Sequence, residues 1–273
     1  TGSSTYCPED QWAKDADGKY TGECNPGGEI TYDNAFDGEF LTYTLNLGWS
    51  YNTLNRPIFP TSGMSHRVGL EVGIPGSDVD YQKLTYDAQA FMPLWGGFVL
   101  RGYGKLGYGN DLPFYKNFYA GGYGSVRGYD NSSLGPKYPS VIFQEMGEDD
   151  LSKEEVGGNA LVQFGTELAL PLPFKGDWAR QVRPVLFAEG AQVFDTKCDV
   201  PSGNILVNSS NVDIKQYCKD NYNFNFDNMR YSVGVGFTWI TMVGPLSLSY
   251  AFPLNDKKGD DTKSIQFEIG RTF

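Results

Sequence analysis

His66 is the only histidine of the chain, and histidine is the side chain that enzymes use most often as a general acid or base near neutral pH. It lies beside a turn predicted at residues 59–63, on the apolar face of the following strand. No nucleophile stands at a spacing that would support a catalytic triad with it. We therefore predict that the chain is not an enzyme and holds no metal or cofactor, and we interpret His66 as an interfacial residue.

Arg127 is better suited to a specific charge interaction. It lies in the segment Val126-Arg127-Gly128-Tyr129, which follows the glycine-rich stretch Phe118-Tyr119-Ala120-Gly121-Gly122. Its guanidinium is planar and permanently charged, so it pairs well with carboxylates, and Gly124 and Gly128 permit tight turns of the backbone beside it. Such a group needs an acidic partner. The alternative interpretation is an arginine on a solvated loop.

The four cysteines form two local pairs, Cys7 with Cys24 and Cys198 with Cys218, each in a polar segment that contains Gly or Asn. Neither spacing resembles a zinc site, so we predict two disulfides, which indicate an oxidising compartment such as the periplasm or the cell surface. An exported chain should begin with a signal peptide, and none is present at Thr1. We interpret the sequence as mature or truncated.

Charge and hydropathy exclude two classes of protein. The net charge is -11, and no cluster of Lys and Arg is present, which argues against a nucleic-acid partner because binding to phosphates relies on such clusters. Acidic residues gather in predicted loops at 148–155 and 256–261. No stretch approaches the roughly 18 consecutive apolar residues that a spanning helix needs, so we exclude a helical membrane protein.

The C-terminal residues alternate with the period of two that is typical of a β-strand. Ile265, Phe267, Ile269, Arg271 and Phe273 lie on one face, and polar or small residues lie on the other. The same pattern recurs upstream and predicts about nine strands, separated by short turns and longer polar loops in alternation. These strands are residues 40–51, 64–74, 81–92, 98–108, 159–170, 181–194, 231–239, 246–252 and 264–273.

The length of these strands favours a membrane barrel over a soluble sandwich. Both folds give the same alternation within one strand, but most of the runs reach the roughly 9 to 11 residues of a tilted transmembrane strand. The apolar face carries aromatic residues toward the strand ends, as expected at membrane interfaces: Trp49, Tyr51, Tyr108, Trp239, Tyr250 and Phe273. The other face is polar, and we expect it to be wet: Asn46, Arg67, Glu71, Lys83, Asp87, Arg101, Lys105, Gln163 and Glu167. We predict an all-β fold, an antiparallel transmembrane β-barrel.

Residues 110–158 lack sustained alternation and contain the segment Val126 to Tyr129. Here the sequence resembles the barrel of the BamA family of outer-membrane protein insertases, whose sixth extracellular loop folds into the lumen and carries a Val-Arg-Gly-Phe/Tyr tip. The similarity covers nearly the whole chain after about residue 36. It continues through residues 48–54, 59–61, 134–136, 157–160, 244–246, 249–251 and 267–273.

The resemblance implies roles for individual residues. The loop arginine of the family pairs with acids on the two strands after the loop, and the matching positions here are Glu167 and Glu189. The alternation independently places Glu167 on the polar face, beside Gln163, whereas the orientation of Glu189 depends on the resemblance. The last strand would border a lateral gate at which a client strand pairs with an exposed edge; its matching residues are Phe267, Ile269, Gly270 and Phe273.

Barrels of this family have sixteen strands preceded by periplasmic POTRA domains, so the sequence matches the C-terminal part of such a barrel. We expect residues 1–39 to form an extracellular loop with a local disulfide, and residues 40–273 to form transmembrane strands with a long lumenal loop at 110–158. The implied location is the Gram-negative outer membrane. The implied partners are nascent outer-membrane β-barrel proteins, accessory lipoproteins of the assembly complex, and outer-membrane lipid with lipopolysaccharide. The alternatives are a secretion pore of the two-partner type in the same superfamily and a passive porin.

Overall fold

The protein is described by a computed structural model that covers residues 12–14, 20–24, 41–74, 76–77, 79–136, 157–173, 176, 181–198, 204–207, 210–213, 216, 219, 222–242, 244–257 and 260–270. Its described part is almost entirely β-structure. The strands are β1 (Trp12–Lys14), β2 (Tyr20–Cys24), β3 (Thr44–Asn52), β4 (Gly63–Gly73), β5 (Gln82–Pro93), β6 (Val99–Asn110), β7 (Gly128–Tyr129), β8 (Ala160–Ala169), β9 (Val182–Phe194), β10 (Asn204–Val207), β11 (Ser210–Asp213), β12 (Arg230–Thr241), β13 (Gly244–Pro253), β14 (Thr262–Lys263) and β15 (Ile265–Ile269). Short 3-10 helices lie in the connections at Trp95–Gly97, Phe114–Lys116 and Phe226–Asn228.

Nine strands form one antiparallel sheet in the order β15-β13-β12-β9-β8-β6-β5-β4-β3. Apart from the short strands within loops, neighbours in the sheet follow one another along the chain, so successive connections alternate between its two ends. The connections after β3, β5, β8 and β12 lie at one end, here called the turn side, and those after β4, β6, β9 and β13 lie at the other end, the loop side. All nine predicted strands are confirmed, and the sheet is open, with β3 and β15 at its edges.

The two faces of the sheet differ as the alternation predicts. Residues that pair directly across antiparallel strands point to the same face, and one such row runs from Arg67 through Asp87 and Lys105 to Gln163. We call this polar side the inner face. The outer face exposes large apolar side chains, among them Leu45, Leu47, Trp49, Tyr51, Leu84, Leu106, Tyr108, Phe164, Leu186, Val235, Trp239 and Tyr250. An apolar band of this kind is the surface that a transmembrane barrel presents to lipid.

The described part of the chain contains no helix that is long and apolar enough to cross a membrane. Every long structural element of that part is a strand of the sheet.

The long connection between β6 and β8 folds back onto the inner face. Its described part packs an apolar cluster against β8 and β9, formed by Phe118, Ala120, Val126, Tyr129, Leu134, Leu161, Ala191 and Val193. The expectation of a wet inner face is therefore wrong at β9, where Val185, Phe187, Ala191 and Val193 are buried. The folded-back loop packs on Ala191 and Val193, whereas Val185 and Phe187 belong to a second buried cluster, against which Leu54 packs.

Candidate functional site

Tight turns place Arg127 at the tip of the folded-back loop. The N–H of Ser125 donates to the carbonyl of Gly122, and the N–H of Gly122 donates to the carbonyl of Val126, each over 3.1 Å. Gly128 follows at φ +96°, a backbone conformation that favours glycine. A Cβ there would lie 3.3 Å from the Cβ of Ala251 on β13, so glycine also lets the tip approach the wall closely.

Arg127 is 2 % exposed and binds the carboxylate of Glu189, which is 3 % exposed on β9. The backbone N–H of Arg127 donates to Oε2 of Glu189 over 2.8 Å, and its Nε donates to Oε1 over 2.9 Å. Its Nη2 donates to Oε1 as well. The structure thus brings together the residue pair that the resemblance implied, and it places Glu189 on the inner face.

Glu167 on β8 lies between two arginines. Its Oε1 accepts from Nη2 of Arg127 over 2.6 Å, and its Oε2 accepts from Nη1 of Arg101 over 2.8 Å. Arg101 also donates to Oε1 of Gln89 on β5, over 3.2 Å from Nε and 3.0 Å from Nη2. The loop arginine therefore belongs to a network that extends across four strands, from β5 to β9. Alternation put Arg101 on the polar face, but its bond to Glu167 was not predicted.

Tyr103 is a member of the network that the sequence analysis missed. Its hydroxyl donates to Oε1 of Glu189, although β8 lies between the strands of the two residues. Gly165 occupies the position of β8 that pairs with both Tyr103 and Glu189. A Cβ at Gly165 would lie 2.4 Å from the ring of Tyr103, so the glycine leaves the space that the ring crosses. The sequence could have predicted this contact only if the strand register were known, because the register places Gly165 between Tyr103 and Glu189.

Aromatic rings complete the surroundings of Arg127. Its guanidinium carbon lies 3.5 Å from the ring centroid of Phe187 and 5.5 Å from that of Tyr123, which is cation–π geometry. Burial alone lowers the pKa of a guanidinium, but the charges of Glu189 and Glu167 outweigh burial and hold the pKa of Arg127 above its ordinary value. The guanidinium of Arg127 therefore stays charged in this packed site, where it holds the loop to the strands.

The loop tip also contacts the end of the sheet. Strand β7 pairs with β14, which directly precedes β15, and the N–H of Asp130 donates to the carbonyl of Asp261 over 2.8 Å. On β15 itself, Nε2 of Gln266 donates to the carbonyl of Tyr129 over 2.5 Å. Gln266 is 5 % exposed, so this bond lies away from solvent. The same short segment therefore binds both Glu189 and the last described strand.

A second anchor holds the loop nearer to its start. Lys116 forms an ion pair with Oε1 of Glu71 on β4 over 2.7 Å, and this hydrogen bond raises the pKa of the Lys116 ammonium. Nζ of Lys83 on β5 donates to the carbonyl of Lys116 over 2.6 Å and lies 4.3 Å from the ring centroid of Phe118. Glu71 and Lys83 were predicted to lie on the polar face, and the structure shows that they face the loop.

A cavity of about 550 Å3 lies beside the network on the inner face. Its lining combines the bonded members of the network with the row of charged residues from β4 to β6: Arg67, Asp87, Lys105, Arg101, Arg127, Glu167 and Glu189. Polar walls and this volume allow water to fill the space.

The remaining predicted site residues divide into three groups. Phe267 and Ile269 are exposed on the outer face of β15, and Gly270 follows the strand at φ +88°. Cys198 takes part in a disulfide bond, but Phe273, Cys7 and Cys218 lie outside the described residues, so the two pairings stay predictions. His66 lies among outer-face aromatic rings, where its Nδ1 is 2.8 Å from the hydroxyl of Tyr86.

Comparison with known proteins gives a consistent match. The family model of the Omp85 superfamily domain matches residues 6–273. The outer membrane protein assembly factor BamA of Neisseria meningitidis serogroup B is 36% identical over 246 residues, which are 87% of this chain and 30% of that protein. The sorting and assembly machinery component 50 homolog of Mus musculus is 27% identical over 251 residues, 86% of this chain and 46% of that protein.

A solved structure matches the fold as well. The crystal structure of BamA from Haemophilus ducreyi lacking POTRA domains 1-3 aligns with a TM-score of 0.71 and 30% sequence identity, over 97% of this chain and 46% of that chain. The chain thus spans less than half the length of each of these three relatives.

Proposed function

The chain belongs to the Omp85 superfamily, and from this membership together with the loop network we propose that it works as the C-terminal barrel segment of an outer-membrane protein assembly factor. Its location is the Gram-negative outer membrane, and its sheet is similar to the barrel of BamA. The proposed activity is the folding and insertion of client β-barrel proteins. The observation that carries the proposal is the pair of buried ion pairs that Arg127 forms with Glu167 and Glu189.

The network suits this activity because it fixes a long loop inside the barrel without a covalent bond. A buried ion pair is costly to break, since removal of one partner leaves the other charge without compensation. The inner faces of the strands would enclose a lumen. The loop would keep the wall of this lumen in one arrangement while a client strand pairs with the edge of the sheet. Gln266 extends the same restraint to β15.

Client pairing is proposed to occur at the free edge of β15. Unpaired edge strands offer a row of backbone donors and acceptors and so act as templates for a further strand. β15 has only five residues, and Gly270 follows it with an open space where a Cβ would lie. A short edge that ends in a glycine packs weakly and therefore opens at a low energetic cost. This edge would form the lateral gate, with Phe267 and Ile269 facing lipid.

The proposed partners follow from this mechanism. Nascent outer-membrane β-barrel proteins would be the clients, and accessory lipoproteins would deliver them to the barrel. Lipid and lipopolysaccharide would contact the exposed apolar residues of the outer face. A secretion pore of the two-partner type stays the second candidate, because an arginine-bearing lumenal loop would serve an export channel as well. A passive porin fits less well, since an open pore does not require a loop that is bonded at two places.

Reconstitution of the full-length protein with its lipoproteins in proteoliposomes tests the proposal. We expect an unfolded client barrel added from outside to become folded and protease-protected, and Arg127→Ala to reduce the yield severalfold. Arg56→Ala is the control, because Arg56 is exposed on the connection between β3 and β4, outside the loop and the network. Vesicles that export a secreted passenger, or leak small solutes, and fold no client would contradict the proposal and support one of the alternatives.

A further inference from the structure

The β3–β4 turn, residues 53–62, has a defined conformation of its own. The N–H of Asn55 donates to the carbonyl of Ser62 over 3.1 Å, and the side-chain oxygen of Asn55 accepts from the N–H of Thr61 over 3.0 Å. Gly63 then lies at φ +103°, where a Cβ would be 2.3 Å from the carbonyl oxygen of Thr53. These bonds continue the hairpin beyond the ends of β3 and β4, so its tip projects from the sheet with a fixed conformation.

The tip of this turn binds the opposite part of the wall. Nη1 of Arg183 donates to the carbonyl of Pro60 over 2.9 Å, across 123 residues of sequence. Arg183 lies at the turn side of β9, and three strands separate β4 from β9 in the sheet. Neighbouring strands are about 4.8 Å apart, so the contact crosses the inner face instead of following the sheet. Pro60 is buried as a result.

Apolar side chains fill the space beneath the turn. Leu54 packs against a buried cluster on the inner face. The guanidinium of Arg183 lies 5.6 Å from the ring centroid of Phe59 and 5.8 Å from that of Phe91. The cluster beneath Leu54 consists of Phe91, Val99, Ala169, Val185, Phe187 and Ala251. The turn is therefore packed on the wall as well as hydrogen-bonded to it.

Little free space lies between Arg101, Glu167 and Arg183 beneath the turn. The cavity beside the Arg127 network measures about 550 Å3, whereas the void lined by Arg101, Glu167 and Arg183 measures about 10 Å3. A volume of that size holds one water molecule at most. Water can thus fill the cavity beside the network, whereas the space between Arg101, Glu167 and Arg183 has room for one water molecule at most.

From these contacts we propose that the β3–β4 turn is a floor across the turn side of the lumen, and that Arg183 holds it in place. The floor restricts the passage of ions and small solutes through the barrel. This role is separate from client assembly, because Arg183 and the packing of Leu54 hold the turn, whereas Glu167 and Glu189 hold the Arg127 loop.

Conductance of the full-length protein in planar lipid bilayers tests the floor. We expect Arg183→Ala to raise the mean conductance severalfold, because the carbonyl of Pro60 loses its donor and the turn can swing away. Arg183→Lys keeps a cationic donor and should stay close to wild type. Arg56→Ala changes an exposed arginine of the same turn and is the matched control.

A second variant covers the case in which Arg183→Ala does not fold. Leu54→Ser loosens the packing of the turn and leaves β9 unchanged, and it should also raise conductance while the protein keeps its heat modifiability on gels. Folded variants whose conductance equals that of wild type would overturn the floor, and so would a Lys variant that leaks as much as the Ala variant. Client assembly measured on the same preparations separates this result from the proposed function.

Discussion

The backbone and the side chain of Arg127 both bind the carboxylate of Glu189. Its backbone N–H donates to Oε2 over 2.8 Å, and its guanidinium Nε donates to Oε1 over 2.9 Å. The backbone bond positions the loop chain, and the side-chain bond orients the guanidinium toward Glu167. A change of the side chain alone therefore leaves the backbone bond of Arg127 to Glu189 in place and removes the two bonds of its guanidinium.

Substitution of Arg127 should show that the shape of the guanidinium matters in addition to its charge. Arg127→Ala leaves the buried carboxylate of Glu189 without its arginine and leaves Glu167 with Arg101 alone, and we expect a loss of about 3–5 kcal/mol in the free energy of unfolding. Arg127→Lys restores the charge but not the planar fork, so its loss should be intermediate. The melting temperature in detergent and heat modifiability on gels measure both effects. A Lys variant as stable as wild type would show that charge alone is sufficient.

The two carboxylates of the network should differ in their importance. Glu189 accepts from the backbone and side chain of Arg127 and from Tyr103, whereas Arg101 keeps Gln89 as a partner when Glu167 is altered. We therefore expect Glu189→Gln to lower the melting temperature more than Glu167→Gln. Equal losses in the two variants, measured under the same conditions, would mean that the number of hydrogen bonds to Glu189 does not determine its contribution.

Gly165 should be required for the bond between Tyr103 and Glu189. Because a Cβ at Gly165 would lie 2.4 Å from the ring of Tyr103, Gly165→Ala must displace the ring and weaken the network. Gly102→Ala is a matched control on the adjacent strand, since a Cβ there has nothing within 4 Å. We expect a lower melting temperature for Gly165→Ala only. Melting temperatures equal to that of wild type in both variants would mean that Tyr103 can bind Glu189 without the space left by Gly165.

Sequence alone predicted the strands well and the packing of the loop poorly. Alternation depends on local spacing, so it located all nine strands and placed Arg101, Gln163 and Glu167 on one face. Tyr103 and Gly165 were missed because their role depends on register between strands. The apolar inner residues of β9 broke the expected pattern because the folded-back loop and the β3–β4 turn pack on them, and no local rule reveals such long-range packing.

Gln266 should control how firmly the loop tip is attached to the last strand. Gln266→Leu removes the side-chain donor to the carbonyl of Tyr129, which keeps the N–H of Gly122 as its other donor, and the loss of one such hydrogen bond costs about 0.5–1.5 kcal/mol. Gln82→Leu is the control, because Gln82 is exposed on another strand of the sheet. We expect faster cleavage of the 111–159 loop by added protease in Gln266→Leu. Cleavage at the wild-type rate would show that β7 and β14 hold the tip without Gln266.

The proposal that clients pair with β15 is tested most directly by site-specific photocrosslinking in the reconstituted full-length protein. A photoreactive amino acid is placed at Phe267 on β15 and, in a separate preparation, at Val235 on β12, and both positions are exposed on the outer face. We predict that a stalled client barrel crosslinks to position 267 and only weakly to position 235, because β12 lies inside the sheet with both edges paired. Equal crosslinking at the two positions, or none at 267 while the client still folds, would contradict strand addition at this edge.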